Sequence, residues 1–172
     1  VPFQHTAWFS PTRNMNADDV IFSFQRMLDE KHPYHDVNGG EYPYFDSLQF
    51  ADSVQSIRKL GEYSIEIRLN SPDASFLWHL ATHYAPILSA EYAQRLAKED
   101  KKELLDREPV GTGPYLLDEY RNGQYIRLTR NGDYWRGLPH MRQVVVDLGS
   151  GGTGRLSKLC LLYTSDAADE LD

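Results

Sequence analysis

The apolar positions between residues 17 and 28 recur with the 3.6-residue period of an α-helix. They are Val20, Phe24, Met27 and Leu28. Asn16 is a favourable N-cap for this helix, and Asp18 and Asp19 in its first turn face the positive end of the helix dipole. The pattern therefore predicts an amphipathic helix over 17–28, with the two adjacent carboxylates as capping residues rather than an acid–base pair.

Other stretches alternate with the two-residue period of a β-strand. Residues 54–69 predict one hairpin, and residues 115–130 predict a second. The second hairpin turns at Asn122-Gly123, a dipeptide strongly preferred in two-residue hairpin turns. A run of three valines then predicts a buried strand over 143–148.

Two shorter helices are predicted between the hairpins, over 72–82 and over 89–98. Ser89 is a suitable N-cap for the second of them. The charged run over 98–108 predicts a solvated helix end. The side chains expected to point inward are Phe76, Leu77, Leu80, Tyr92 and Leu96.

Residues 109–115, which read Pro-Val-Gly-Thr-Gly-Pro-Tyr, separate two kinds of structure. Two glycines and two prolines in seven residues are incompatible with a helix interior or a central strand. Helices and one hairpin precede this stretch, and predicted strands follow it. The sequence therefore predicts an α/β fold of the mixed α+β kind, with a boundary between two differently built lobes at residue 109.

Composition changes this picture little. The 172 residues are 41% hydrophobic and 25% charged, as in soluble globular proteins. The formal charge of −7 is concentrated at the end, because the last thirteen residues hold four carboxylates and no Lys or Arg. Without those four, 21 acidic residues face 18 basic ones, a balance that shows no electrostatic footprint for nucleic acid.

Residues 160–172 are similar to the translated end of a transposase-type sequencing-library adapter. The alternative is a natural acidic C-terminus. We interpret these residues as an artefact and exclude them from the fold prediction. On this interpretation we expect the natural sequence to continue beyond Leu159.

A glycine-rich run, Gly149–Gly154, fits the G-x-G-x-x-G pattern and lies between a predicted strand and a predicted helix over 155–159. It allows a nucleotide-binding enzyme as one hypothesis. The strand follows two hairpins instead of opening a βαβ unit, and no Gly-Lys-Ser/Thr follows it. The other interpretation is a flexible strand-to-helix connection.

Two histidine pairs have spacings found in metal sites: His79 with His83, and His32 with His35. The glutamate of an H-E-x-x-H motif is absent from the first pair, and no third ligand is evident. We interpret all four as ordinary histidines and predict no metal and no cofactor. The chain before residue 160 has no cysteine and no G-x-S-x-G motif, so no residues indicate an enzyme.

Three stretches, at 10–24, 109–115 and 131–137, resemble in their order and spacing the peptide/nickel class of extracytoplasmic solute-binding proteins that serve ABC importers. The resemblance covers residues 1–159. Residues 1–6 and 143–152 are most similar to members linked to antimicrobial-peptide resistance in Gram-negative bacteria. Dipeptide-binding members are the next most similar.

The resemblance implies a non-enzymatic, monomeric periplasmic protein about three times this length, with two lobes that close on a ligand. Residues 1–108 would be an accessory subdomain of the N-terminal lobe, and residues 109–159 would return into that lobe's sheet. Its ligand would be a peptide, including antimicrobial peptides, or haem. Its partner would be an inner-membrane permease driven by separate ATPases. The periplasmic location comes from the resemblance alone, because no leader is present at Val1.

The same resemblance names the candidate ligand-binding residues. Residues 39–45, Gly-Gly-Glu-Tyr-Pro-Tyr-Phe, are similar to a loop whose first tyrosine faces the ligand in dipeptide- and oligopeptide-binding members. Tyr42 is therefore expected to offer a stacking and hydrogen-bonding surface to a ligand, with Tyr44 beside it. The alternative is that both tyrosines only pack the loop.

Overall fold

The computed structural model describes residues 1–149 and residue 154. The glycine run after Gly149, the helix predicted over 155–159 and the residues at 160–172 lie outside the described residues, except for Gly154. The helices are α1 Ala17–Leu28, α2 Pro43–Ser47, α3 Phe50–Ser53, α4 Phe76–Leu80 and α5 Ala90–Lys98, with 3₁₀ turns at Val37–Gly39 and Lys102–Leu105. The strands are β1 Val54–Gly61, β2 Ser64–Leu69, β3 Tyr115–Arg121, β4 Tyr125–Arg130 and β5 Gln143–Asp147.

These elements confirm the mixed helix and sheet composition. Strands β1 and β2 form a two-stranded antiparallel sheet, and β3, β4 and β5 form a three-stranded antiparallel sheet in that order. Both predicted hairpins are present. Gly123 at the second turn has φ +68°, a conformation that glycine adopts without steric cost.

The predicted cap of α1 is also confirmed. The side-chain oxygen of Asn16 accepts a hydrogen bond from the amide of Asp18 at 3.0 Å. The carboxylate of Asp19 accepts one from the amide of Asn16 at 2.9 Å, which completes a capping box. Within the described residues no helix is both long and apolar enough to cross a bilayer.

Two hydrophobic cores hold the described residues together. The helix–hairpin core lies between α1, the short helices and the β1–β2 hairpin, and its buried members are Phe24, Phe45, Phe50 and Phe76. The N-terminal core joins the first residues of the chain to α5 and the segment before residue 111. Its buried members are Phe3, Phe9, Tyr34, Tyr92, Ala93, Leu96, Leu105 and Val110.

Two burial predictions were wrong, and a third holds only in part. Leu77 is 75% exposed, because α4 has only five residues and turns Phe76, not Leu77, into the core. Val145 in β5 is 56% exposed, because among the described elements β5 packs chiefly against β4 and little covers its faces. The charged run over 98–108 is not simply a solvated helix end, since Leu105 within it is only 2% exposed and packs in the N-terminal core.

Candidate functional site

The junction, residues 109–115, is held by the buried side chain of Gln4. The amide nitrogen of this side chain donates to the carbonyl oxygens of Gly113 and Tyr115, both at 2.8 Å. Its oxygen accepts from the amide of Gly111 at 3.3 Å, and the Gln4 backbone amide donates to the Gly111 oxygen at 2.8 Å. The beginning of the chain and the junction are therefore one hydrogen-bonded unit.

Two of the three stretches that carry the family resemblance contact each other at this junction. The backbone amide of Asn131 donates to the oxygen of Pro114 at 2.8 Å, and its side chain donates to the oxygen of Gly113 at 3.3 Å. The indole nitrogen of Trp135 donates to the oxygen of Thr112 at 3.2 Å. Asn131 and Trp135 thus satisfy backbone groups that the Gly- and Pro-rich junction cannot pair in a helix or sheet.

A mostly apolar cavity of about 610 Å³, the junction cavity, lies between the junction and one face of the three-stranded sheet. Pro109 and Gly111 line it from the junction. The sheet contributes Leu117, Ile126 and Leu128, and the polar lining includes Gln4, Asp106 and Arg107. Its surface can bury apolar groups but offers no set of reactive side chains.

Replacing Gln4 with leucine is expected to lower the free energy of unfolding by about 2 kcal/mol, because partly buried backbone groups at the junction lose their partners. Urea unfolding of the full-length protein measures the loss, and faster hydrogen exchange at the Gly111 amide gives a local readout. Gln94→Leu, at an exposed position of α5, is the matched control and is expected to change stability little. Equal stability of the two variants would contradict the account of the junction.

Tyr42 precedes α2, which begins at Pro43 as proline favours at a helix start. Its ring is half-buried and lies 5.5 Å from the ring of His35, centroid to centroid. Its hydroxyl donates to the backbone oxygen of His35 at 3.1 Å. Burial raises the pKa of Tyr42, and the nearby guanidinium of Arg26 opposes that rise, so the phenol stays protonated at neutral pH.

Tyr44 stacks on Tyr84, with ring centroids 4.1 Å apart and planes 15° apart. Tyr42, Tyr44 and Tyr84 line one cavity of about 420 Å³, the aromatic cavity, together with Glu41. The structure thus brings the two predicted tyrosines to a common cavity. It adds Tyr84, which no sequence signal indicated because it lies forty residues further along the chain.

Close to Tyr42, Arg26 of α1 forms a bidentate ion pair with Asp106. Its two terminal nitrogens lie 2.8 and 2.5 Å from the two carboxylate oxygens. The side chain of Arg26 is 8% exposed and that of Asp106 is 35% exposed. No local sequence pattern indicated this pair, because its members are eighty residues apart.

The histidines with metal-like spacing have other partners. The Nε2 atom of His79 lies 3.1 Å from the Ser75 hydroxyl, and the ring of His83 lies 3.9 Å from the ring of Tyr84. The ring of His32 accepts from the amide of Tyr34, and burial lowers the pKa of His32. Across residues 1–149 and 154, no three His, Cys, Asp or Glu residues are grouped so that they could hold a metal ion.

The chain is similar to known bacterial solute-binding proteins. The family model "Bacterial extracellular solute-binding proteins, family 5 Middle" matches residues 4–160. The chain is 70% identical over 99% of its length to the probable ABC transporter periplasmic-binding protein SapA of Escherichia coli K12. It is 43% identical over 92% of its length to heme-binding protein A of Haemophilus influenzae, of which it covers 29%.

A solved structure of a peptide-binding protein is also similar to this chain. The dipeptide-binding protein of Pseudoalteromonas sp. SM9913, in complex with Met-Leu, superposes on 94% of this chain with a TM-score of 0.89 and 40% identity. The chain covers 32% of that protein and also 32% of the E. coli relative. It therefore spans about a third of the length of these relatives.

Proposed function

Because the chain belongs to family 5 of the bacterial extracellular solute-binding proteins, we propose that it forms part of the periplasmic peptide-capturing component of an ABC importer. The observation that carries this proposal is the close likeness to a dipeptide-binding protein with Met-Leu bound. The family is one of solute-binding proteins, so the role is capture and delivery without chemical conversion.

The proposed mechanism is closure of two lobes around the ligand, a hinge motion of the kind seen in periplasmic binding proteins. The closed protein would hand its ligand to an inner-membrane permease powered by separate ATPases. Residues 1–108 would form the accessory subdomain of the N-terminal lobe and residues 109–159 its return into the sheet. The change of architecture at the junction supports this division.

Peptides are the proposed ligand class, and antimicrobial peptides are included because the chain resembles SapA so closely. Haem is a second candidate, which the likeness to heme-binding protein A favours. A nucleotide-binding enzyme at Gly149–Gly154 has no such support. The solute-binding family model covers that run, and it lies outside the described residues apart from its two ends.

Tyr42 and Tyr44 are proposed as the ligand-side residues of this part of the protein. Both line the aromatic cavity. A tyrosine ring gives a ligand a large apolar surface with little loss of conformational entropy, and its hydroxyl adds a hydrogen bond. The face of Tyr44 is already stacked on Tyr84, whereas Tyr42 is held through its hydroxyl by the backbone of His35, so Tyr42 is proposed as the main ligand contact.

Replacing Tyr42 with alanine is expected to weaken peptide binding about tenfold, a typical loss for a buried aromatic contact. Tyr42→Phe is expected to lose less, because the ring remains. Isothermal titration of the full-length protein measures both. Tyr63→Ala, at the exposed turn of the first hairpin, is the control and is expected to bind like the unaltered protein. Unchanged affinity in Tyr42→Ala would contradict the role of Tyr42.

The ligand class is tested by purifying the full-length protein from the periplasm under native conditions. After denaturation, mass spectrometry identifies released peptides, and visible absorption detects haem. We expect peptides in the released fraction. Release of haem alone would favour the second candidate, and a protein that neither releases nor rebinds peptide or haem would overturn the proposal.

A further inference from the structure

Arg26 forms hydrogen bonds with two residues of the loop that carries Tyr42. Its Nε donates to the backbone oxygen of Tyr34 at 3.2 Å. The Arg26 backbone oxygen lies 2.9 Å from Nδ1 of His35, which donates to it. The backbone oxygen of His35 in turn accepts the hydroxyl of Tyr42. These last contacts use the Arg26 backbone. The guanidinium itself holds the loop through Tyr34 and also interacts directly with the Tyr42 side chain, where it opposes the rise that burial causes in the pKa of Tyr42.

The other end of Arg26 reaches the segment before the junction. Asp106, its bidentate partner, precedes Pro109 by three residues and lines the junction cavity. The planar guanidinium is nearly buried, so its orientation is fixed by this pair. Asp106 therefore links the loop that carries Tyr42, residues 29–42, to the segment that enters the junction.

The loop needs such an anchor because it has little regular structure. Between α1 and α2, residues 29–42 contain only the 3₁₀ turn Val37–Gly39. Ordering a loop when a ligand binds costs conformational entropy, and a loop already held in place avoids that cost. A fixed Arg26 would therefore favour ligand binding through Tyr42.

We propose that Arg26 and Asp106 are positioning residues of the peptide site. Their ion pair holds the Tyr42 loop against the segment that enters the junction, so that Tyr42 is in place before the ligand arrives. The inference rests on the proposed peptide-binding function and on the ligand role of Tyr42. It adds that the affinity for peptide depends on the Arg26–Asp106 ion pair, which acts by positioning Tyr42.

A double-mutant cycle in the full-length protein tests the proposal. Asp106→Asn is made alone and together with Tyr42→Ala, and the dissociation constant is measured by calorimetry. The probe is the tightest-binding member of a synthetic di- and tripeptide library. We expect Asp106→Asn to weaken binding roughly tenfold when Tyr42 is present and less than about twofold in the Tyr42→Ala background. Equal losses in both backgrounds would overturn the proposal.

Two further variants separate positioning from simple destabilisation. Asp118→Asn removes a carboxylate from an exposed ion pair with Arg127 and is expected to leave affinity unchanged. Arg26→Lys keeps the charge but loses the bidentate geometry, so it is expected to bind between the unaltered protein and Asp106→Asn. If Arg26→Lys bound as tightly as the unaltered protein, the bidentate geometry would not matter and the proposal would fail.

The failures of the two proposals are distinguishable. A folded, unaltered protein that binds no member of the library would overturn the peptide-binding function and this inference with it. Tight binding by the unaltered protein, with additive losses in the cycle, would overturn only the positioning role. Tight binding with the expected non-additive losses supports both.

Discussion

Replacing Asp19 with asparagine is expected to lower the free energy of unfolding by about 3 kcal/mol, because a fully buried carboxylate loses charge-assisted hydrogen bonds. The Asp19 side chain is 0% exposed. Its oxygens lie 2.6 and 2.9 Å from the two terminal nitrogens of Arg13. They also accept from the amides of Asn16 at 2.9 Å and Ala90 at 2.8 Å.

This one carboxylate therefore joins the start of α1 to the start of α5. An asparagine amide cannot accept the same four hydrogen bonds, because one oxygen is replaced by a donor. Urea unfolding followed by circular dichroism measures the loss.

The neighbouring carboxylate provides a matched control. Asp18 pairs with Lys59 at 2.8 Å, but both side chains are largely exposed. Asp18→Asn is expected to cost less than about 1 kcal/mol, as for other surface ion pairs. Similar losses in the two variants would show that Asp19 is only a helix cap and does not join the two helices.

Replacing Phe50 with alanine is expected to cost about 3–5 kcal/mol, because a buried phenyl ring is removed and a cavity remains. Phe50 is almost completely buried in the helix–hairpin core. Its ring centroid lies 4.8 Å from that of Phe45, 5.6 Å from that of Phe76 and 6.0 Å from that of Phe24. Three helices thus lose a common contact, and the free energy of unfolding from urea titration reports the loss.

Leu77→Ala is the matched control for Phe50→Ala. Leu77 follows a core phenylalanine on α4 but is exposed, so its removal is expected to change stability by no more than about 0.5 kcal/mol. A large loss in Leu77→Ala, or a small one in Phe50→Ala, would contradict the assignment of the core.

The local elements were predictable because their signals are local. Asn16 and the apolar period determine α1, and its bounds match the prediction. The Asn122-Gly123 turn determines the second hairpin. Burial was less predictable, since it depends on what packs above a residue. The three valines predicted a buried strand, but among the described elements little besides β4 packs against β5.

The candidate site was predictable only in part. The family resemblance pointed to Tyr42 and Tyr44, and the structure places both at one cavity. Tyr84 and the Arg26–Asp106 pair were not predicted, because they are brought to the loop by contacts between distant parts of the chain. A single sequence has no local pattern that records such contacts.

Calorimetric titration is the decisive test of whether the full-length protein captures peptides. The purified protein is unfolded to release bound ligand, refolded, and titrated with a di- and tripeptide library and with its tightest-binding member. We expect saturable binding of one peptide per protein and a higher melting temperature in the presence of the peptide. If the refolded protein melts cooperatively but shows no saturable binding to any peptide, peptide capture is not its function.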